Sequence, residues 1–171
     1  LRAFSQTPLR YLDSLGVLGG DVLLSDCSFA DAEEWRIMAR RRVKVVHCPS
    51  SELASSGVRY PYELALASGV RICLGGRGKA LSDEVRAVQL LSSMGHPALP
   101  YGTISDWATK NGADAFGIDA GEVSYGKLAD FVLSLPEEGR TPGETSCIKY
   151  VFCRGQILFD FRSHHEFDEV A

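Results

Sequence analysis

Residues 70–79 read VRICLGGRGK, an apolar run that stops on two glycines and then sets an arginine between glycines. A short unbroken apolar run of this kind marks a strand buried on both faces. Two upstream stretches have the same form, DVLLSDCSF (21–29) and VKVVHCPSS (43–51), the second read as a strand that ends in a loop running through LASSG. Each is followed by a segment of helical spacing. In ADAEEWRIMARRR (30–42), Trp35, Met38 and Ala39 share a face, and acids precede bases as the helix dipole favours. PYELALASG (61–69) opens on Pro61 and stops on Gly69, and SDEVRAVQLLSSMG (82–95) has Ser82 as its expected N-cap. Three strand-then-helix units in a row predict an α/β fold with parallel strands covered by helices. In such sheets chemistry gathers at the C-terminal strand ends, here SDCS, HCPSS and GGRGK.

The flanks differ. TPLRYLDSLGVLG (7–19) places Leu9, Leu12 and Leu15 at helical spacing before a glycine stop. TISDWATKNGADAFG (103–117) predicts one helix, capped by Thr103 or Ser105 and ended by Gly117. GEVSYGKLADFVLSL (121–135) and CIKYVFCRGQILFDF (147–161) are rich in β-branched and aromatic residues, with turns at SYGK and CRGQ, and the second predicts a hairpin. Trp35, Trp107 and Phe116 are expected in the core, and the tail RSHHEFDEVA, with His164 and His165, is read as polar and frayed.

With 45% apolar residues and a net charge of −4, the 171-residue chain can bury a core and lacks the basic stripe of a nucleic-acid binder. No apolar stretch is long enough to span a membrane. The five cysteines are scattered and odd in number, which predicts reduced thiols and a cytoplasmic setting. GGRGK is no Walker loop: the pattern requires glycine where Cys73 stands and serine or threonine where Ala80 stands. Arg77 and Lys79 beside a helix start could still suit an anion, so an anion-binding α/β module remains one reading.

TPLRYLDSLGVLGGDVLLSDC, VKVVHCPSSELASSG, VRICLGGRG, ATKNGADAFGID, GEVSYGKLADFVLSL and VFCRGQIL, in this order, resemble the C-terminal part of metal-dependent amidohydrolases. The resemblance is to the chlorohydrolase and cyclic-amidine deaminase branch. It implies a (β/α)8 barrel with strands six to eight here, residues 1–118 being a partial barrel and 119–171 the C-terminal strands of a composite β-sandwich. A whole barrel takes about 250 residues, and the chain opens on Leu1 in mid-motif, so it is expected to be part of something longer. A missing N-terminal half-barrel or homo-oligomer partners would then cover its open edges; alone it is expected to associate or aggregate. The family hydrolyses non-peptide carbon–nitrogen bonds of small heterocyclic amines with one zinc or iron ion.

The resemblance also assigns positions. Asp26 stands where the family has a histidine beside the metal-bound water; its plainer role would be to cap the following helix. A carboxylate there cannot donate a hydrogen bond unless its pKa is raised. His47, Ser50 and Ser51 match a motif that lines the substrate pocket, although Glu52 replaces the usual asparagine, and His47 could instead be satisfied by backbone groups. Arg77 stands where the family places its metal-binding aspartate. A guanidinium has no free lone pair and a fixed positive charge. The chain is therefore expected to hold no cofactor of its own and to set an Asp26–Arg77 ion pair in the vacated place. The readings are a degenerate-site hydrolase, an inactive or binding relative of the same fold, and the anion module.

Overall fold

The computed structural model describes residues 6–94, 98–136 and 146–161. The chain opens with α1 (Pro8–Ser14), whose N-cap Thr7 accepts from the Arg10 N–H. β1 (Leu23–Ser25), β2 (Lys44–His47) and β3 (Arg71–Leu74) form one parallel sheet in the order β1-β2-β3. The pairing is in step, Val45 lying between Leu24 and Ile72. Between β1 and β2 runs α2 (Ala32–Arg41). Asp31 and Glu34 close a reciprocal capping box at its start, and Arg40 and Arg41 sit at its carbonyl end. Asp31, not Asp26, is thus the cap of this helix.

Between β2 and β3 there are two helices, α3 (Pro49–Ser56) and α4 (Tyr62–Ser68), each ending on a left-handed glycine, Gly57 and Gly69. The sequence signalled only the second. Pro49 at the first turn is the start signal of α3, and the serines that read as loop lie inside it. α5 (Leu81–Ser93) begins one residue before Ser82; its N-cap is Ala80, which offers no capping side chain.

The expected helix over 103–117 is two, α6 (Tyr101–Ala108) and α7 (Lys110–Phe116), broken at Thr109 (φ −129°, ψ −85°) and stopped at Gly117. α6 starts after Pro100, ahead of both expected caps. α7 lies against β3, and Asn111 Nδ2 donates to the Ile72 carbonyl at 2.7 Å, occupying an edge acceptor of the sheet.

The core of this layer joins Trp35, Met38, Val43, Val45, Tyr60, Ala65, Ile72, Val88, Ile104 and Trp107. Trp35 and Met38 are wholly buried, each contributing about 2–3 kcal/mol by removal from water. Phe116 departs from expectation: it is exposed, because the break at Thr109 resets the face that α7 turns inward.

A second, antiparallel sheet of β4 (Phe131–Pro136), β5 (Ser146–Cys153) and β6 (Gln156–Asp160) follows. Only the end of 121–135 is strand. The expected hairpin is present, turning through Arg154 and Gly155, both with positive φ. Phe131 stacks on Phe152 across β4 and β5 with ring centroids 4.4 Å apart. Cys27, Cys48, Cys73 and Cys153 are free thiols. His164 and His165 lie outside the described residues.

Candidate functional site

The backbone sets the three strand ends side by side. Asp26 N–H donates to Val46 O (2.8 Å) and Gly75 N–H to His47 O (2.9 Å), so the ladder runs on past the strand termini. Two glycines are then compelled. A Cβ on Gly75 would lie 2.7 Å from Val46 Cγ2 and 3.0 Å from Cys48 Sγ, and one on Gly76 would lie 2.3 Å from the Lys79 carbonyl oxygen. The turn closes through Lys79 N–H to Gly76 O, at 2.8 Å.

Left-handed backbone then aims the side chains. Asp26 (φ 70°) and Cys27 (φ 65°) are consecutive non-glycine residues in this region, and Arg77 (φ 41°) is a third. Such conformations cost about 1–3 kcal/mol each and concentrate at functional sites. Arg77 reaches across the sheet end, its terminal nitrogen 3.0 Å from Asp26 Oδ2 and 3.0 Å from Ser25 Oγ. The ion pair expected from the sequence is present, with the Asp26 side chain 28% and the Arg77 side chain 49% exposed. Arg77 is thereby drawn toward β1, while Asp83 and Glu84 fill the first turn of α5. That arrangement gives no support to an anion cradle at GGRGK.

His47 is fully buried. Its Nδ1 lies 2.6 Å from Glu52 Oε1 and its Nε2 3.0 Å from the Tyr62 hydroxyl, with Tyr60 stacked on the ring at 3.9 Å. An ionised Glu52 can only accept, so Nδ1 carries the proton and Nε2 accepts from Tyr62. The expectation of a histidine held by backbone groups is corrected: side chains hold it, because α3 turns Glu52 back over the strand end.

Glu52 is the hub the sequence reading passed over. It is buried and accepts from His47, from the Cys48 N–H (3.0 Å) and from the Ser28 hydroxyl. Burial pushes its carboxyl up, but His47, Ser28 and the Cys48 N–H outweigh burial and hold it at about 2. Asp26 moves the other way, raised by burial and by neighbouring Glu52, against the pull of Ser25 and Arg77. Burial pushes the Cys27 thiol up to about 12, which leaves it a poor nucleophile. The signal for Glu52 was its place three residues after Pro49, which a helical reading of 49–56 puts on the face toward His47.

A cavity of about 410 Å³ opens here, with Asp26, Cys27, Ser28, Glu34, Glu52 and Phe29 in its wall. Ser55 and Ser56 line it, whereas Ser50 and Ser51 do not; they sit in the first turn of α3, where the Ser50 N–H donates to Glu84 at 2.9 Å. The strand ends thus bring Asp26 and Arg77 together and withdraw His47 behind Glu52.

These groups do not fit a metal ion of the kind the resemblance implies. Arg77 offers only donors, both nitrogens of His47 are engaged, and Glu52 already accepts from three protein donors. Among the described residues no group of three or more His, Cys, Asp and Glu side chains is placed to hold a metal.

Known proteins supply the context. The chain is 37% identical to a 5'-deoxyadenosine deaminase of Methanothermobacter thermautotrophicus, over 77% of this chain and 33% of that protein. It is 29% identical to a 5-methylthioadenosine/S-adenosylhomocysteine deaminase of Haloarcula marismortui, over 97% of this chain and 43% of that one. It therefore spans a third to under half the length of these relatives. Among solved structures, a zinc-bound adenosine deaminase from Xanthomonas campestris matches 93% of this chain and 42% of its own, at a TM-score of 0.83 and 24% identity. The zinc complex of an atrazine chlorohydrolase from Arthrobacter aurescens matches 93% and 40%, at 0.81 and 21%. At these identities the likeness shows the fold alone. The model of the Amidohydrolase family matches residues 1–158, and the chain belongs to that family.

Proposed function

We propose that residues 1–118 form the last three βα units, strands six to eight, of an amidohydrolase barrel and 119–171 the C-terminal strands of its composite sandwich. In this reading the chain is a metal-free relative of the deaminases, a binding or regulatory version of the fold that takes a small heterocyclic amine and does not hydrolyse it. One observation carries it: Arg77, which the resemblance sets where the family's aspartate holds the metal, is bonded to Asp26 and Ser25. A guanidinium repels a divalent cation, and no local environment removes its charge.

Relatives named as deaminases favour a second reading, a C–N hydrolase whose metal is bound by groups outside these 171 residues. Elemental analysis of the intact protein separates the two. The binding reading expects metal well below one equivalent per chain and no response to chelators. About one equivalent of zinc or iron in the unaltered protein would overturn it. The paired change Arg77→Asp with Asp26→His is expected to raise metal content.

A further inference from the structure

The opposite end of the parallel sheet holds a second cavity. About 450 Å³ opens where the chain enters β2 and β3, with Gly20, Arg42, Lys44, Gly69 and Arg71 in its wall. Three residues of that wall are cationic and none is acidic, in a chain whose net charge is −4. Lys44 and Arg71 are the first residues of β2 and β3 and stand in register, so their side chains leave the same face of the sheet on strands about 5 Å apart. Arg42 follows α2 at φ 58°, in a left-handed cap where glycine is the usual residue.

The partners of these cations differ. Arg71 is neutralised by Asp114 of α7 at 2.6 Å, and Asp114 stands outside the cavity wall. Lys44 reaches only a neutral group, the Ala115 carbonyl at 3.3 Å. Arg42 has no ion-pair partner among the described residues, whereas Arg36, Arg40 and Arg41 just before it each have a carboxylate. The carbonyl ends of α2 and α4 close on this side and favour cations. Yet α2 already has Arg40 and Arg41 in its last turn, and glycine at 42 would have capped it without strain. We infer that this cavity binds a small phosphorylated molecule, its phosphate held by Arg42 and Lys44. A phosphate monoester carries close to two negative charges near pH 7, which matches two unpaired cations where a carboxylate supplies one. The guanidinium pairs two N–H donors with phosphate oxygens, and the ammonium adds a point charge. A cavity of this size takes a molecule larger than a free ion. It lies at the far end of the strands from Asp26 and Arg77, so the inference goes beyond the binding reading above and does not depend on it.

The test is isothermal titration calorimetry of the intact protein with ribose 5-phosphate, ribose and inorganic phosphate at low ionic strength. None of the three is a heterocyclic amine, so the result stands apart from the ligand proposed above. Ribose 5-phosphate is expected to bind more tightly than inorganic phosphate, and ribose not to bind. Arg42→Gly and Lys44→Gln should each weaken the ester about tenfold or more. Arg36→Gln, which removes one exposed charge from α2 outside the cavity, should weaken it less than about twofold. Arg42→Gly relieves the left-handed backbone and is expected to fold, as thermal melts establish; should it fail, Lys44→Gln decides. Equal binding of ribose and its phosphate, inorganic phosphate bound as tightly as the ester, or ester binding that survives the folded cavity variants overturns the site.

Discussion

The ends of β2 and β3 lie next to each other and hold their side chains in opposite ways. At the β2 end His47 is sealed behind Glu52, Tyr60 and Tyr62 with no nitrogen free. At the β3 end the Arg77 side chain stands half-exposed, with Asp26 and Ser25 in reach. One end is closed by the partners of its histidine, and the other keeps a charged side chain open to water. The partners that surround each side chain decide what it can do at its strand end.

The buried end should be the costlier to disturb. Glu52→Leu removes the acceptor for His47 Nδ1, the Cys48 N–H and Ser28 at once, leaving the imidazole and the amide buried without partners. Loss of about 3 kcal/mol or more is expected in chemical denaturation. The pH dependence follows in sign. A carboxyl held at about 2 in the folded state contributes stability that is present above its unfolded value and lost as pH falls from there toward 2. The full contribution is about 3 kcal/mol, from 1.36 kcal/mol per unit. Asp26 is raised, so its contribution has the opposite sign: present at low pH and lost as pH rises through its folded value. Acid titration of wild type against Glu52→Leu should show the variant losing less stability toward pH 2. Equal acid sensitivity in both would break the assignment of this end to Glu52.

The backbone of the open end is expected to be nearly as costly. Gly76→Ala drives a Cβ into the Lys79 carbonyl, which is part of the same tight turn and cannot retreat without opening it. Gly75→Ala meets the side chains of Val46 and Cys48, which can shift by tenths of an ångström. Overpacking of this kind costs about 1–3 kcal/mol. Gly76→Ala should sit at or above the top of that range and Gly75→Ala toward the bottom, as read from melting temperatures. The reverse order would show that the turn is softer than the side chains beneath it.

How far the sequence carried this picture depends on where each signal resides. The three parallel strands, the hairpin at Arg154–Gly155 and the stops at Gly69 and Gly117 were legible, because apolar runs and left-handed glycines are local properties. Helix α3 was not, since its serines mimic a loop and its start signal is the single proline Pro49. The break at Thr109 was hidden by continuous helical spacing on either side. At the site, the pairing of Asp26 with Arg77 was legible, because the two charges are opposite and stand at neighbouring strand ends. Glu52 was invisible as a hub, because its partners come from β2, the β1–α2 loop and the N-cap of α3, and no periodicity in one segment reports that meeting.

The Arg77 side chain, by contrast with its glycine neighbours, should contribute little to stability. Its ion pair with Asp26 is 3.0 Å long but half open to water, so the Coulomb gain is screened and offset by ordering the long side chain. Arg77→Ala is expected to change unfolding free energy by less than about 1 kcal/mol. It leaves the left-handed backbone strain in place, since alanine tolerates φ 41° no better than arginine. Arg77→Gly removes that strain, so it should be at least as stable as Arg77→Ala despite the loss of the same ion pair. If Arg77→Gly were instead the less stable by more than 1 kcal/mol, the flexibility that glycine adds to the unfolded chain would outweigh the strain. The open end would then be held by chain stiffness, and the ion pair would be a charge arrangement with a purely functional meaning.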